Sequence, residues 1–346
     1  MNITIKDIAR ETGLSTATIS KFLNHKKIRE ENRVLIQDTI ERLDYKPNRT
    51  AQILRSKKTM TIGILISELG NYFWGSLFST ITQFFMQYNY TVITSSYYFS
   101  PKGESDVIQD LISQNLDGII MLPRNNQDTL YRLFQEAGIP VVILDQIPTS
   151  LDEYPVDCVL SDNYGGGAML AQDLLEKGHK NIYILERSEH SHTIEQRIRG
   201  FTDVFKRNNY DTSVFRPAYD PIPFGETQSV IDSGKQRFRQ VMCSPDPPTA
   251  IFFTNYIVAM GGLVAANSAR YSIPEDISLV CFDDDPLFKA MHTSMTCVAQ
   301  DLAQMGEKAS EILMRRIHGD DLDFPKTAII DVHFRPRKSV RDLTKP

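Results

Sequence analysis

The stretch Pro47-Asn48-Arg49-Thr50-Ala51-Gln52-Ile53-Leu54-Arg55-Ser56 divides the chain into two parts of opposite charge. Residues 1–60 hold 13 basic and 7 acidic side chains and so carry a formal charge of +6. The remaining residues, with 25 basic and 36 acidic side chains, carry −11. A polyanion such as nucleic acid attracts the first part and repels the second. We therefore predict a small basic head that binds a polyanion and a larger acidic body with another role.

Length and composition describe a globular protein with more than one domain. A chain of 346 residues is too long for one ordinary core, and 41% hydrophobic with 23% charged residues is typical of a folded chain. No secretory signal is visible, and no apolar run approaches the ~20 residues of a membrane helix, so we expect a cytoplasmic protein. The cysteines lack C-x-x-C spacing, and we predict neither a metal site nor a cofactor.

The head begins with a pattern of two short helices around a glycine-containing turn. Thr4 is placed to cap the first helix, Gly13 to end it, and Ser15 to cap the second. The second helix is expected to bury its apolar side chains, which are Ile19, Phe22 and Leu23. This arrangement is typical of a helix-turn-helix motif.

A third helix is expected at about 32–43, after Arg29 at the position of its cap. Its inward side chains would close a three-helix core, and they are Val34, Ile36, Ile40 and Leu43. Helix spacing alone leaves open a small helical domain that makes no DNA contacts. The positive charge of the head favours the helix-turn-helix interpretation.

The order Asp7-Ile8-Ala9, Gly13 and Ser15-Thr16-Ala17-Thr18-Ile19-Ser20-Lys21-Phe22-Leu23-Asn24 resembles the lactose-repressor/galactose-repressor family of transcription regulators. In that family the second helix lies in the major groove, which implies that Thr16, Ala17 and Lys21 read bases. Lysine lacks the bidentate fork of arginine, so guanine discrimination at Lys21 should be softer. The resemblance further implies phosphate contacts, which carry no sequence information, from Thr4, Ser15, Thr18, Ser20 and Asn24.

The joint between head and body resembles the hinge of the same family, whose pattern is Y-x-P-N-x-x-A-x-x-L. The matching residues are Tyr45-Lys46-Pro47-Asn48-Arg49-Thr50-Ala51-Gln52-Ile53-Leu54. A helix of about two turns is marginal alone. The resemblance implies that two such helices of a homodimer pack together on the minor groove. Leu54 would then wedge between base pairs, with Asn48 and Ala51 on the same face. The alternative is a plain interdomain linker.

The body alternates apolar strands with helical stretches, which is typical of parallel α/β layers. The strand candidates are Ile62–Ser67, Val92–Ser96, Gly118–Leu122, Val141–Leu144, Cys158–Leu160, Asn181–Leu185, Ala250–Thr254, Ile277–Phe282, Thr296–Val298 and Ile329–His333. So many strands imply two sheets. Family landmarks in this region include Asp117-Gly118-Ile119-Ile120, Asp162-Asn163-Tyr164-Gly165 and Phe282-Asp283-Asp284. The resemblance therefore implies a type I periplasmic-binding-protein fold, in which a cleft separates two Rossmann-like α/β subdomains.

The predicted fold class is thus a helix-turn-helix head of three helices, a hinge helix and an α/β body. The DNA-binding domain is placed at 1–46, the hinge helix and linker at 47–59, and the effector-binding and dimerisation domain at 60–346. Inside the body we expect one subdomain to contain 60–161 with 290–325. The other should contain 162–289 with 326–340.

Four polar residues fall where ligands of open α/β sheets bind, at the carboxyl ends of strands. Asp145, Asn255 and Asp283 each follow a predicted strand directly, and Arg197 lies in the first helix after residues 181–185. Two carboxylates, an amide and a guanidinium can hold several adjacent hydroxyls. The resemblance assigns effector-binding roles to the same positions.

The aromatic cluster Tyr72-Phe73-Trp74 follows the first predicted strand. These rings could form an apolar floor beneath a sugar or a base. The alternative is that aromatic residues at the start of a helix belong to the core or to an interface, and the sequence leaves both interpretations open.

Head, hinge and cleft together predict a homodimeric repressor of carbohydrate-utilisation genes. It would bind a near-palindromic operator in double-stranded DNA and respond to a small sugar, without a membrane partner. One alternative is a regulator with a purine corepressor, and another is a soluble sugar-binding or sugar-modifying protein. No set of nucleophile, base and orienting group is recognisable, so we predict that the chain is not an enzyme.

Overall fold

The computed structural model describes residues 3–23, 27–45, 58–66, 70, 72–97, 104–122, 130–148, 151–186, 191–212, 215 and 227–345. The chain forms two compact units, Met1–Met60 and Thr61–Pro346. The predicted hinge contacts Asn48, Ala51 and Leu54 lie outside the described residues, and so does Asn24. These four sites remain predictions from the sequence.

The first unit contains three helices around a small apolar core. The helices are α1 (Ile5–Thr12), α2 (Thr16–Leu23) and α3 (Glu30–Arg42). Each contributes one fully buried isoleucine to the core, and these are Ile8, Ile19 and Ile36. Gly13 has φ of 69°, a left-handed conformation that ends α1 and turns the chain toward α2. The helix-turn-helix geometry follows from this turn.

Polar side chains close the N-termini of α1 and α2. A carboxylate oxygen of Asp7 accepts hydrogen bonds from the backbone N–H of Thr4 at 2.9 Å and from its hydroxyl at 2.7 Å. Ser15 Oγ accepts from the backbone N–H of Thr18 at 3.2 Å, as expected for a cap of α2. These contacts satisfy backbone N–H groups at the start of a helix, which would otherwise hydrogen-bond to water.

The third helix begins before the predicted start, at Glu30, and Arg29 provides no side-chain cap. Val34 was predicted to point inward and is 53% exposed. The inward face is instead formed by Ile36, Thr39 and Ile40. Residues three or four apart share a helix face, and Val34 is only two residues from Ile36, so it lies on another side of α3.

The second unit contains a parallel sheet of six strands within the described residues. These are β1 (Thr61–Ile66), β2 (Thr91–Ser96), β3 (Gly118–Met121), β4 (Val141–Leu144), β5 (Asp157–Ser161) and β10 (Thr327–Ile330), in the order β10-β5-β4-β3-β1-β2. One face packs against α4 (Tyr72–Gln87) and α12 (Leu302–Ile317). The other face packs against α5 (Glu104–Ser113) and α6 (Leu130–Glu136). Burial on both faces explains the nearly continuous apolar runs of these strands.

A second sheet is formed by β6 (Ile182–Leu185), β7 (Ala250–Phe253), β8 (Ser278–Phe282), β9 (Thr296–Gln300) and β11 (Val332–Arg335), in the order β11-β9-β8-β7-β6. Its first face packs against α7 (Asn163–Glu176) and α8 (His192–Arg207). Its second face packs against α9 (Thr227–Met242), α10 (Tyr256–Ala269) and α11 (Leu287–Ala290). None of the helices within the described residues has the length and apolar composition that a membrane span needs.

The predicted subdomain boundaries at 290 and 326 are wrong. β9 belongs to the second sheet because it pairs with β8 from Val280↔Thr296 onward, and β10 belongs to the first because it pairs with β5. The single strand predicted at Ile329–His333 is therefore two strands in different sheets. The apolar run around Asp331 continues through the crossing, so hydrophobicity alone could not reveal it.

Helices α7 and α8 approach each other closely at two glycines. A Cβ atom on Gly200 would lie 2.0 Å from the carbonyl oxygen of Tyr164. A Cβ atom on Gly167 would lie 2.0 Å from the carbonyl oxygen of Arg197. No side chain fits at such distances, so both glycines are required for this helix pair, and the pair fixes the backbone that carries Arg197.

Candidate functional site

Helix α2 has one face exposed to solvent and one face packed against the core of the first unit. Thr16, Ala17 and Lys21, the predicted base-reading residues, are exposed, whereas Ile19 between them is fully buried. A helix with small polar side chains and one cation on its free face can enter the major groove of DNA. The structure thus leaves the three predicted base-reading residues accessible to DNA.

The predicted phosphate contacts lie around the same helix. Thr4 and Ser15 are exposed, and Thr18 and Ser20 are partly exposed. The hydroxyls of Ser15 and Thr18 are 2.9 Å apart at the start of α2. Helix N-termini and nearby hydroxyls are common phosphate partners, so this cluster is suited to fix the register of α2 on a duplex.

A cavity of about 470 Å³ lies in the second unit between its two sheets. Tyr72 and Phe73 at the start of α4 line it from the side of the first sheet, and Tyr256 and Asp283 line it from the side of the second. Trp74 does not line this cavity, contrary to prediction. It is only 6% exposed and packs in the core of the first sheet. The cavity is of the size that small-molecule sites have.

Arg197 is buried next to Asp283, which lines this cavity, and two of its five N–H groups donate hydrogen bonds. Its Nε donates to Asn163 Oδ1 at 2.8 Å, and one terminal nitrogen donates to the carbonyl oxygen of Thr254 at 2.8 Å. The same nitrogen lies 3.8 Å from Asp283 Oδ1. The guanidinium also stacks 3.9 Å above the ring of Phe282. Arg197 therefore organises the ends of β7 and β8, and its charge faces the cleft carboxylates.

Asp283 accepts hydrogen bonds from two elements at the cleft. Its Oδ2 accepts from the backbone N–H of Tyr256 at 3.2 Å, and its Oδ1 accepts from Gln300 Nε2 at 2.6 Å. Burial raises the pKa of this carboxyl, while Arg197 and the two hydrogen bonds oppose that change. The residue has φ of 87°, which turns its side chain away from the strand direction.

Asp145, the second predicted carboxyl, lies at the end of β4 with φ of 54°, and it is not among the residues that line the cavity. Its Oδ1 is buried and has no hydrogen-bond partner among the described residues. Burial raises its pKa to about 7, with Arg197 acting in the opposite direction and Asp283 in the same direction. A buried acceptor without a donor is costly in the free protein, so a ligand that donates to it gains affinity.

The remaining predicted residue, Asn255, has a structural use for its side chain. Its Oδ1 accepts from the backbone N–H of Val258 at 2.9 Å and so caps α10. It follows β7 as predicted, and the cap leaves its side-chain N–H groups as the part that could bind a ligand. Asp145, Arg197 and Asp283 are coupled by charge, whereas Asn255 joins them by its position at the same strand edge.

The raised pKa of Asp145 predicts that the stability of the protein depends on pH. An unfolded aspartate titrates near ~4, and the folded group titrates near 7, so the folded state binds the proton more tightly. The contribution of this group to stability is therefore fully present below about pH 4 and is lost as pH rises through 7, by up to about 4 kcal/mol. Asp145→Asn should remove most of this slope and stabilise the ligand-free protein at pH 8. Urea unfolding of both proteins between pH 5 and 8 measures this pH dependence. If the free energy of unfolding changed equally with pH in both proteins, the prediction would be contradicted.

Two further polar residues, Gln300 in the cavity lining and Gln146 next to Asp145, were not predicted from the sequence. Gln300 donates to Asp283, and Gln146 beside Asp145 has a buried Oε1 without a partner among the described residues. Gln146 could have been found, since it follows a predicted strand by two positions. Gln300 could not, because β9 was expected to end at Val298.

Comparisons with known proteins agree with this architecture. The family model "Bacterial regulatory proteins, lacI family" matches residues 4–48, and the model "Periplasmic binding protein-like domain" matches residues 171–340. Catabolite control protein A from Priestia megaterium is 28% identical over 324 residues, which cover 93% of this chain and 95% of that protein.

Two solved structures share the fold over nearly the whole chain. The lac repressor dimer bound to operator and the anti-inducer ONPF aligns with a TM-score of 0.79 at 22% identity, covering 99% of this chain and 100% of that one. The transcriptional regulator CelR-cellobiose complex aligns with a TM-score of 0.71 at 23% identity, covering 98% and 100%. Both the head and the body therefore have relatives in one group, and the chain belongs to the lactose-repressor/galactose-repressor family of transcription regulators.

Proposed function

We propose that this protein is a ligand-responsive, sequence-specific DNA-binding regulator that represses carbohydrate-utilisation genes. The observation that carries the proposal is the presence in one chain of an accessible α2 face and a polar cleft. The lac repressor structure contains operator, and the CelR structure contains cellobiose, which supports the same two partners for this chain. The named relatives are regulators, so we propose that the cleft binds its ligand without chemical turnover.

The cleft favours a sugar over a purine as the effector. Asp145 Oδ1 and Gln146 Oε1 are buried acceptors that find no donor among the described residues. A sugar presents several hydroxyl donors on adjacent carbons, and these match two carboxyls held beside a guanidinium. The rings of Tyr72 and Phe73 can cover the apolar face of either ligand. The adjacent hydroxyl donors of a sugar therefore favour it as the ligand, whereas the aromatic residues fit both classes.

An exposed apolar surface supports the homodimer. Val264 on α10 and Leu287 on α11 are 42% and 57% exposed. They border a groove of about 860 Å³ whose apolar lining includes Met260, Leu263 and Met291. A contiguous apolar surface of this kind is typical of an interface, and a two-fold contact would bring two heads to the two halves of a palindrome.

Control by the effector requires a difference in affinity between two states of the dimer. We propose that a ligand in the cleft stabilises one arrangement of the two sheets and so changes whether both heads engage DNA together. In this proposal Asn48, Ala51 and Leu54 contact the minor groove, as their match to the family hinge implies.

Lys21→Ala provides the test of DNA recognition. The full-length protein should select a near-palindromic sequence from random duplexes at low salt. Lys21→Ala should then reduce its preference for that sequence over a scrambled one by about 1–3 kcal/mol, because a base contact is lost. Fluorescence anisotropy measures both affinities.

Lys180→Ala is the matched control, since Lys180 is an exposed lysine of the acidic body. This variant should bind both duplexes as the unchanged protein does. If no sequence is enriched at low salt, the proposed function is wrong. If Lys21→Ala keeps the full preference, Lys21 does not read a base.

A further inference from the structure

The chain passes between the two sheets three times within the described residues. The first crossing follows Ser161 at the end of β5, the second follows Gln300 at the end of β9, and the third follows Ile330 at the end of β10. Any change in the angle between the two sheets must be absorbed at these three points. Residues that connect the crossings therefore control such a change.

Gln300 uses both ends of its side-chain amide at these crossings. Its Nε2 donates to Asp283 Oδ1 at 2.6 Å, and its Oε1 accepts from the Ser161 hydroxyl at 2.5 Å. This orientation of the amide is set by chemistry, because the carboxylate can only accept and the hydroxyl is free to donate. One planar group therefore joins a cleft carboxyl to the first crossing.

The backbone of Gln300 adds the third crossing to this connection. Gln300 lies opposite Val332 in the antiparallel pair of β9 and β11, directly after the crossing at Ile330. The backbone N–H of Asp162 also donates to the carbonyl oxygen of Ile330 at 2.8 Å. All three crossings are thus linked around one side chain that contacts the cleft.

The connection continues into the core of the first sheet. Ser161 Oγ lies 3.1 Å from Met305 Sδ, and Met305 is fully buried on α12. Asp283 belongs to the second sheet, so the path Asp283, Gln300, Ser161 and Met305 runs from one sheet to the other. Each step is a contact between packed or hydrogen-bonded groups, so the path from one sheet to the other is continuous.

We infer that Gln300 is a positioning residue that couples occupancy of the cleft to the angle between the two sheets. The inference rests on the proposed function and adds the route of regulation. A ligand hydroxyl that donates a hydrogen bond to Asp283 competes with Gln300 for the same carboxylate. The amide then moves relative to Ser161, and the three crossings adjust together. Glutamine is suited to this role because it offers a donor and an acceptor at the end of one side chain.

The test is hydrogen exchange of the full-length protein, read at the three crossings. Gln300→Met keeps the approximate volume and loses both hydrogen bonds. It should accelerate exchange of amides in residues 157–165, 296–303 and 328–335 by about tenfold or more. Gln304→Met is the matched control, because Gln304 is exposed on α12, and its exchange should equal that of the unchanged protein.

A double substitution separates coupling from a simple loss of local stability. Asp283→Asn weakens the charge-assisted bond to Gln300 and should accelerate exchange at 157–165, on the far side of the amide. In the Gln300→Met background the same substitution should have no further effect there. Equal effects in both backgrounds would overturn the inference, and so would unchanged exchange in Gln300→Met.

Ser161→Ala provides a second route to the same conclusion if Gln300→Met folds poorly. It removes only one hydroxyl, and it should reproduce the faster exchange at 296–303 with the bond from Gln300 to Asp283 kept. Exchange like that of the unchanged protein would overturn the inference. The DNA selection with unchanged protein does not involve these variants, so failure of the coupling and failure of the proposed function are distinguishable.

Discussion

Replacing Arg197 by alanine should lower the free energy of unfolding by about 3–5 kcal/mol and abolish the response to effector. The side chain of Arg197 is 3% exposed, and its guanidinium donates hydrogen bonds to Asn163 and to the carbonyl oxygen of Thr254. Its loss leaves these buried acceptors without a donor and leaves Asp283 without its nearest cation. Urea unfolding measures the first effect, and operator binding with and without sugar measures the second.

Arg199→Ala is the control on the same helix. The side chain of Arg199 is 68% exposed, and its contact with Asp203 is long, at 3.9 Å. An exposed ion pair contributes about 0–1 kcal/mol, so this variant should unfold nearly as the unchanged protein does. If Arg197→Ala were equally mild, or if it still responded to effector, Arg197 would have no role in the site.

Gly200→Ala should destabilise the second unit by about 3 kcal/mol or more. The added methyl would lie 2.0 Å from the carbonyl oxygen of Tyr164, which belongs to backbone and cannot rotate away. Helices α7 and α8 must separate to admit it, and this moves the backbone beside Arg197. Thermal unfolding should show a loss of stability, and ligand affinity should fall with it.

Gly75→Ala is the matched control for this substitution. Gly75 lies in α4, and no atom of the described residues lies within 4 Å of a Cβ atom built there. Alanine is the better helix former, so this variant should be more stable by up to about 1 kcal/mol. If the two substitutions had the same effect, close helix packing would not explain the glycine at 200.

The sequence was sufficient to predict the turn between the first two helices of the head, because its signals are local. Gly13 in a left-handed turn, the cap at Ser15 and the buried Ile19 follow from neighbouring residues alone. Asp145 and Asp283 were predictable for a related reason, since each directly follows an apolar strand and strand ends mark the ligand edge of an α/β sheet.

Features that depend on strand pairing could not be predicted in this way. β10 and β11 are separated by Asp331 alone, yet they pair with β5 and β9 in different sheets. Gln300 was missed because its role depends on Ser161, which is 139 positions away in the chain. Only the tertiary structure brings such residues together.

Trp74 is an intermediate case, because its helical spacing from other apolar residues indicates where it lies. Trp74, Leu77, Ile81 and Phe85 recur at helical intervals and form the buried stripe of α4. That pattern places Trp74 on the core side, whereas Tyr72 and Phe73 fall outside the stripe and reach the cavity. Periodicity was therefore a better guide than the aromatic cluster itself.

The most direct test of the central claim measures operator affinity with and without a ligand that binds the cleft. A thermal-shift screen of sugars, sugar phosphates and purines would supply that ligand, because binding raises the apparent stability. We predict that a sugar raises the melting temperature and changes operator affinity by about 5-fold to 150-fold, the usual range of allosteric coupling. An operator affinity that stays constant while such a ligand saturates the cleft would contradict the account.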